Sequence, residues 1–171
     1  ASENPHTVHE TPLHDEKIGV WCALSRRRII GPIFFRTTVD TTVYMEIFHE
    51  FVNQLDDEEL RTGYFQQDGA TCHTSNVSMA EIVSFFEDRV ISKGLWPPRS
   101  PDLTPPDFFL WGMLKGKVYR NKPRTLMELQ ENIRREIESV TPDVLVNTFR
   151  NMERRVQACL DANGDHFQHL L

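Results

Sequence analysis

Two acids, Asp68 and Asp107, lie in the two segments whose residue types and spacing could do chemistry. Phe65-Gln-Gln-Asp-Gly-Ala-Thr-Cys-His73 runs from an apolar start into a Gly-containing polar loop, as a strand end delivering Asp68 would. Trp96-Pro-Pro-Arg-Ser-Pro-Asp-Leu-Thr-Pro-Pro-Asp-Phe-Phe109 is a stiff proline track delivering Asp107 to the start of a helix. Two carboxylates held on rigid elements, with 38 residues between them in the chain, suit a divalent-metal site for phosphoryl transfer. Each acid also has a plainer reading. An Asp before Gly forms turns, and Asp107, three residues after Thr104, sits where a carboxylate stabilises a helix N-terminus. The second pair of roles is compatible, because a helix start fixes the side chain. Asp102 reads as a turn former within the proline track.

Other candidates are weaker. Cys72 and His73 are adjacent, so their side chains diverge, and no second pair has matching spacing; this argues against zinc. His73 is equally open to contacting a phosphate, orienting a water, or packing within its loop. Lys115, Lys117, Arg120, Lys122 and Arg124 form a run without an acid, with Tyr119 among them. It reads either as a phosphate-contacting stretch or as a solvated loop. Arg26-Arg27-Arg28 reads as a solvated hairpin turn. Trp96, Phe108, Phe109 and Trp111 read as core residues, not base-stacking platforms.

The elements that must position these residues follow from periodicity. Residues 1–16 are polar, with Pro5 and Pro12, and read as an extended arm. Residues 17–24 and 29–35 are rich in β-formers and flank a polar turn, which predicts a hairpin with Pro32 at an edge or bulge. Val43, Tyr44, Ile47, Phe48, Phe51, Val52 and Leu55 fall on one helical face, and Asp56-Asp-Glu-Glu59 is expected to end that helix. Residues 64–67 predict a short strand ending at Asp68. A helix follows with Val77, Met79, Ile82, Val83 and Phe86 inward, then a brief strand at 89–91. Helices are expected from Thr104 through Leu114, from the Thr125–Glu128 capping box, and from Thr141-Pro142 to Asn163-Gly164. The last should bury Leu145, Phe149, Met152, Val156 and Leu160. The order predicts an α/β fold with helices packed on a sheet.

At 171 residues the chain reads as one domain: 1–16 an arm, 17–124 the α/β core, 125–171 C-terminal helices. Hydrophobic content of 39% with 26% charged residues is globular. No run approaches the roughly 18 apolar residues of a spanning helix, and the polar first residues do not form a signal peptide. A net charge of −6 argues against a protein that coats nucleic acid non-specifically. Three cysteines without metal spacing point to an intracellular reducing compartment. The chain opens on Ala1 in a polar stretch and reads as a piece of something longer.

The Gln-Gln-Asp-Gly-Ala-Thr-Cys-His motif and Ser100-Pro-Asp-Leu-Thr-Pro105 together resemble the catalytic region of mariner-type transposases, over nearly the whole chain. The resemblance implies a ribonuclease H-like mixed sheet flanked by helices, with Asp68 and Asp107 as the second and third catalytic and metal-binding acids. It implies Mg²⁺ or Mn²⁺ as cofactor, DNA as partner, strand cleavage and transfer as chemistry, and a nuclear location. The strand carrying the family's first acid and the family's DNA-reading helix-turn-helix are not found in this sequence. The expectation is therefore that this chain alone is inactive in strand transfer. Its sheet should be open beside the strand at Lys17–Leu24, where the neighbouring strands re-pair or a second copy or another chain completes it. A domesticated remnant serving as an interaction scaffold is the alternative.

Overall fold

The computed structural model describes residues 17–97 and 100–171, so the arm expected at 1–16 lies outside the described residues. Strands β1 (Gly19–Leu24) and β2 (Ile29–Phe35) form an antiparallel hairpin. Helices α1 (Thr41–Val52) and α2 (Asp57–Thr62) follow, then β3 (Phe65–Gln66), α3 (Thr71–Thr74), α4 (Asn76–Phe86) and β4 (Val90–Ile91). A 3₁₀ turn at Pro101–Leu103 and a π-helical turn at Pro106–Leu110 lead into α5 (Trp111–Lys117). The chain closes with α6 (Leu126–Glu138), α7 (Pro142–Asp161) and a 3₁₀ turn at Gln168–Leu170.

The hairpin is sandwiched, and its sequence shows why. Side chains alternate across a strand. Trp21 and Ala23 turn toward a cluster built on Ile30, Ile33, Tyr44, Phe48, Phe65, Ile82 and Phe86. Val20, Cys22 and Leu24 turn the other way, toward Leu110, Leu114, Ile133 and Ile137. On β2, Ile30 and Ile33 share one face although they are three positions apart. The register explains this: Trp21 pairs with Ile33 and Ala23 with Ile30, so β2 carries one extra residue. That bulge contains Gly31 and Pro32, as the missing N–H of Pro32 requires. Gly31 has φ +106°, and a Cβ there would meet the Trp21 carbonyl oxygen at 2.9 Å.

β3 and β4 form a separate parallel pair, with Phe65 opposite Val90 and Gln66 opposite Ile91. The strands flanking the predicted opening therefore do not re-pair: the sheet is two separate two-stranded pieces. Between them lies a cavity of about 520 Å³, bounded by residues 21–24 on one side and 64–67 on the other. Among the described residues no strand lies in this slot.

Several local expectations are corrected. Asp56–Glu59 does not end α1, which stops at Val52. Instead Asp56 and Glu59 form a reciprocal capping box that opens α2. The triple arginine is the exposed hairpin turn expected, but its side chains are also paired. Arg27 meets Asp56 and Glu58, Arg28 meets Glu59 and the Gln54 carbonyl, and Arg26 meets Glu153 on α7. On α4, Val77 and Val83 are exposed while Ser78, Ile82 and Phe86 are buried, so the inward stripe is rotated. Leu160 is exposed at the end of α7, and Phe149 and Met152 line the cavity. Thr141 makes no side-chain cap, and Glu128 reaches the Arg124 N–H, not that of Thr125. Among the described residues, no helix is long and apolar enough to cross a membrane.

Candidate metal centre

Asp68 leaves the end of β3, and the short α3 folds back beneath it. The buried side chain of Gln67 holds this corner. Gln67 Oε1 accepts from the Tyr44 hydroxyl at 2.6 Å, and its amide donates to Ser92 Oγ at 2.9 Å and to the His73 carbonyl at 3.0 Å. Tyr44, from α1, is almost wholly buried, and burial pushes its hydroxyl well above the ordinary phenol range. Asp68 itself is half exposed. Its Oδ1 accepts the Ala70 N–H at 3.0 Å and lies 2.5 Å from His73 Nδ1. His73 therefore both packs in the loop, its ring centroid 4.2 Å from that of Tyr44, and orients the acid.

Asp107 sits in the π-helical turn, a widened turn closed by Trp111 N–H bonding to the Pro106 carbonyl. The expected helix from Thr104 starts two residues later, and Thr104 faces the turn's opening. Its hydroxyl donates to Asp107 Oδ2, and its carbonyl accepts the Asp107 N–H at 3.0 Å. The track before it is clamped by α7. Arg155 donates to the Asp102 carbonyl at 3.1 Å and lies 4.5 Å over the Phe108 ring, while Gln168 donates to Asp102 Oδ1. Phe109 and Trp111 pack on the hairpin's outer cluster, and Trp96 on the third, with Leu103 and Phe167.

Asp68, His73, Thr104 and Asp107 all line the 520 Å³ cavity, so the two acids named from the sequence face one space. The donors are hard carboxylate oxygens, each carboxylate having one oxygen engaged by a protein donor. That set fits a hydrated divalent ion such as Mg²⁺ or Mn²⁺. Among the described residues no group of three or more His, Cys, Asp or Glu side chains converges as a metal site. Cys22 borders the same cavity, and burial pushes its thiol up to about 12.

The basic run lies apart from this cavity. Lys115 and Lys117 occupy the last turn of α5, and Arg120, Lys122 and Arg124 fall before α6. Lys117 pairs with Glu136 at 3.2 Å and is half buried. The other four are exposed and, among the described residues, pair with no acid. Tyr119 is exposed beside them. Tyr44, Gln67, Ser92 and Arg155 were not singled out in the sequence. Only a tyrosine on an otherwise apolar helical face hinted at a buried polar partner.

No protein-family model matches the chain. The Tc3 transposase of Caenorhabditis elegans is 30% identical over 149 residues, which cover 85% of this chain and 44% of that protein. The Tc1 transposase of the same organism is 27% identical over 137 residues, 79% of this chain and 48% of the relative. The chain thus spans about half the length of the curated relatives it matches. Among solved structures, the Mos1 transposase catalytic domain with raltegravir and Mg superposes with a TM-score of 0.74 at 16% identity, covering 88% of this chain and 76% of that one. The Mos1 mariner paired-end complex with Mn also gives 0.74 at 16%, over 88% of this chain and 44% of that one. With its α/β architecture and its two motif acids on one cavity, the chain is homologous to the Tc3 and Tc1 transposases and shares the ribonuclease H-like fold of the Mos1 mariner transposase catalytic domain.

Proposed function

We propose that this chain supplies two carboxylates, Asp68 and Asp107, to a divalent-metal centre that cuts and joins DNA strands. The observation that carries the reading is their position on one cavity, from separate elements, each with one oxygen engaged by a protein donor. Relatives that are transposases, and a similar fold described with Mg and with Mn, support it. When bound, such an ion supplies an activated oxygen nucleophile and offsets charge on the scissile phosphate. Thr104 and His73 hold the carboxylates against rotation. Two acids suffice for one hydrated ion, whereas a pair about 3.5–4 Å apart needs another carboxylate. A strand lying in the slot between β1 and β3 would bring it beside Asp68, so this chain alone does not complete strand transfer. Arg120, Lys122, Arg124 and Lys115, with Lys117 in a lesser part, hold the DNA backbone. Calorimetric titration with Mn²⁺ tests the centre: binding to the wild type should vanish in both Asp68→Asn and Asp107→Asn. Binding indifferent to both variants, or no binding at all, overturns the reading.

A second reading is favoured by the slot-side edge of β3, which pairs with no strand among the described residues. Phe65 and Gln67 donate their N–H groups to the Arg89 and Ile91 carbonyls, so alternation turns the main chain of Gln66 toward the slot. Its side-chain Nε2 is also buried without a partner among the described residues. On this reading the chain is a domesticated remnant, a scaffold whose slot takes a strand from a second copy or another protein. Hydrogen exchange with sedimentation decides: the Gln66 amide should exchange far faster than those of Phe65 and Gln67 in a monomer, and gain protection on association. A monomer protecting all three equally would rule it out.

A further inference from the structure

We infer that His73 is a positioning residue that ties up one oxygen of Asp68, so that this acid meets a cation through Oδ2 alone. The inference rests on the metal reading above and deepens it. An ionised carboxylate only accepts hydrogen bonds, so the 2.5 Å contact requires the proton on His73 Nδ1. With the Ala70 N–H at 3.0 Å on the same atom, Oδ1 is doubly engaged. Asp68 is half exposed, and a terminal carboxylate torsion is broad, so without these donors the group would rotate.

The imidazole can act as a clamp because it is itself held. One face lies on the Tyr44 ring, tilted by 36° with centroids 4.2 Å apart, and the side chain is only 20% exposed. Its carbonyl accepts from the Gln67 amide, and Gln67 in turn accepts from the hydroxyl of the same Tyr44. Ring and main chain are thus fixed through one buried network. Partners of this kind orient metal-ligating carboxylates, and their loss typically lowers metal affinity by about 10–100-fold.

Two substitutions separate donor from packing. His73→Phe keeps the stack on Tyr44 and removes the N–H, while His73→Asn places an amide N–H near the Nδ1 position and removes the stack. Mn²⁺ affinity, read by electron paramagnetic resonance, should fall about 10–100-fold in His73→Phe and stay within about threefold of wild type in His73→Asn. Unchanged affinity in His73→Phe, or an equal fall in both, overturns the inference. A second measurement needs no metal. Imidazole ¹⁵N shifts should report an Nδ1–H tautomer at His73 in the wild type and its loss in Asp68→Ala. An Nε2–H tautomer in the wild type would overturn the inference. If the wild type binds no Mn²⁺ yet shows the Nδ1–H tautomer, the metal reading fails and the clamp stands. The tautomer also decides the matter if His73→Phe does not fold.

Discussion

The two glutamines that precede Asp68 face opposite ways, and their surroundings set what each does. Gln67 points into the buried cluster and saturates Tyr44, Ser92 and the His73 carbonyl at once. Gln66 turns its main chain to the slot and keeps an amide nitrogen unpartnered among the described residues. Replacing Gln67 by Leu keeps its bulk but leaves the Tyr44 hydroxyl and Ser92, both nearly inaccessible, without a partner. Each orphaned group costs about 1–3 kcal/mol. Gln67→Leu should therefore lower stability by about 2–3 kcal/mol in urea denaturation with an unchanged m-value. Gln66→Leu should cost far less, since it orphans nothing. In sequence, the acid and its flanking histidine were legible as a motif. The roles of the two glutamines were not, because an alternating strand exposes neither face until its partners are known.

At the scale of elements, α2 is the piece whose meaning depended most on packing. Its acidic first turn reads equally as the tail of a longer helix. It becomes a separate helix because Asp56 and Glu59 cap it and because the arginine hairpin needs those acids. The Arg28 side-chain hydrogen bond holds the Glu59 carboxyl below its ordinary range, helped by the Asp56 N–H. A carboxyl depressed in the folded state adds stability above its ordinary value near 4.5, and that contribution disappears as pH falls through the folded value. Gln can still close the capping box, so Glu59→Gln isolates the ion pair. At pH 7 the variant should be about 0.5–1 kcal/mol less stable, a small figure because Arg28 is nearly half exposed. The two melting temperatures should converge as pH drops well below 4.5. A constant gap down to the most acid pH would refute the assignment.

Across the whole molecule, charge and connectivity divide the labour. The cavity holding Asp68 and Asp107 lies between the two sheet pieces, while the basic run extends from the end of α5. Phosphate contacts release counterions, and each one lost lowers the slope of log affinity against log salt by about 1. Arg120→Ala and Lys122→Ala should each do this with duplex DNA. Lys117→Ala should do markedly less, because that ammonium is already engaged by Glu136. Equal effects at all three positions would mean that the Glu136 pair does not persist on DNA.

Periodicity and turn chemistry determined by themselves that this chain builds a β-hairpin with Pro32 at an edge or bulge, four longer helices and two motif acids on rigid supports. These are local properties, set by alternation, capping and the fixed geometry of proline. Only the tertiary structure decided that β1 and β3 stay apart around a slot, that the arginine turn pairs with α2 and α7, and that His73 holds Asp68. Those outcomes join residues distant in the chain or depend on a side chain's direction in a folded loop. They are set by which surfaces meet, and no window of sequence contains both halves of such a contact.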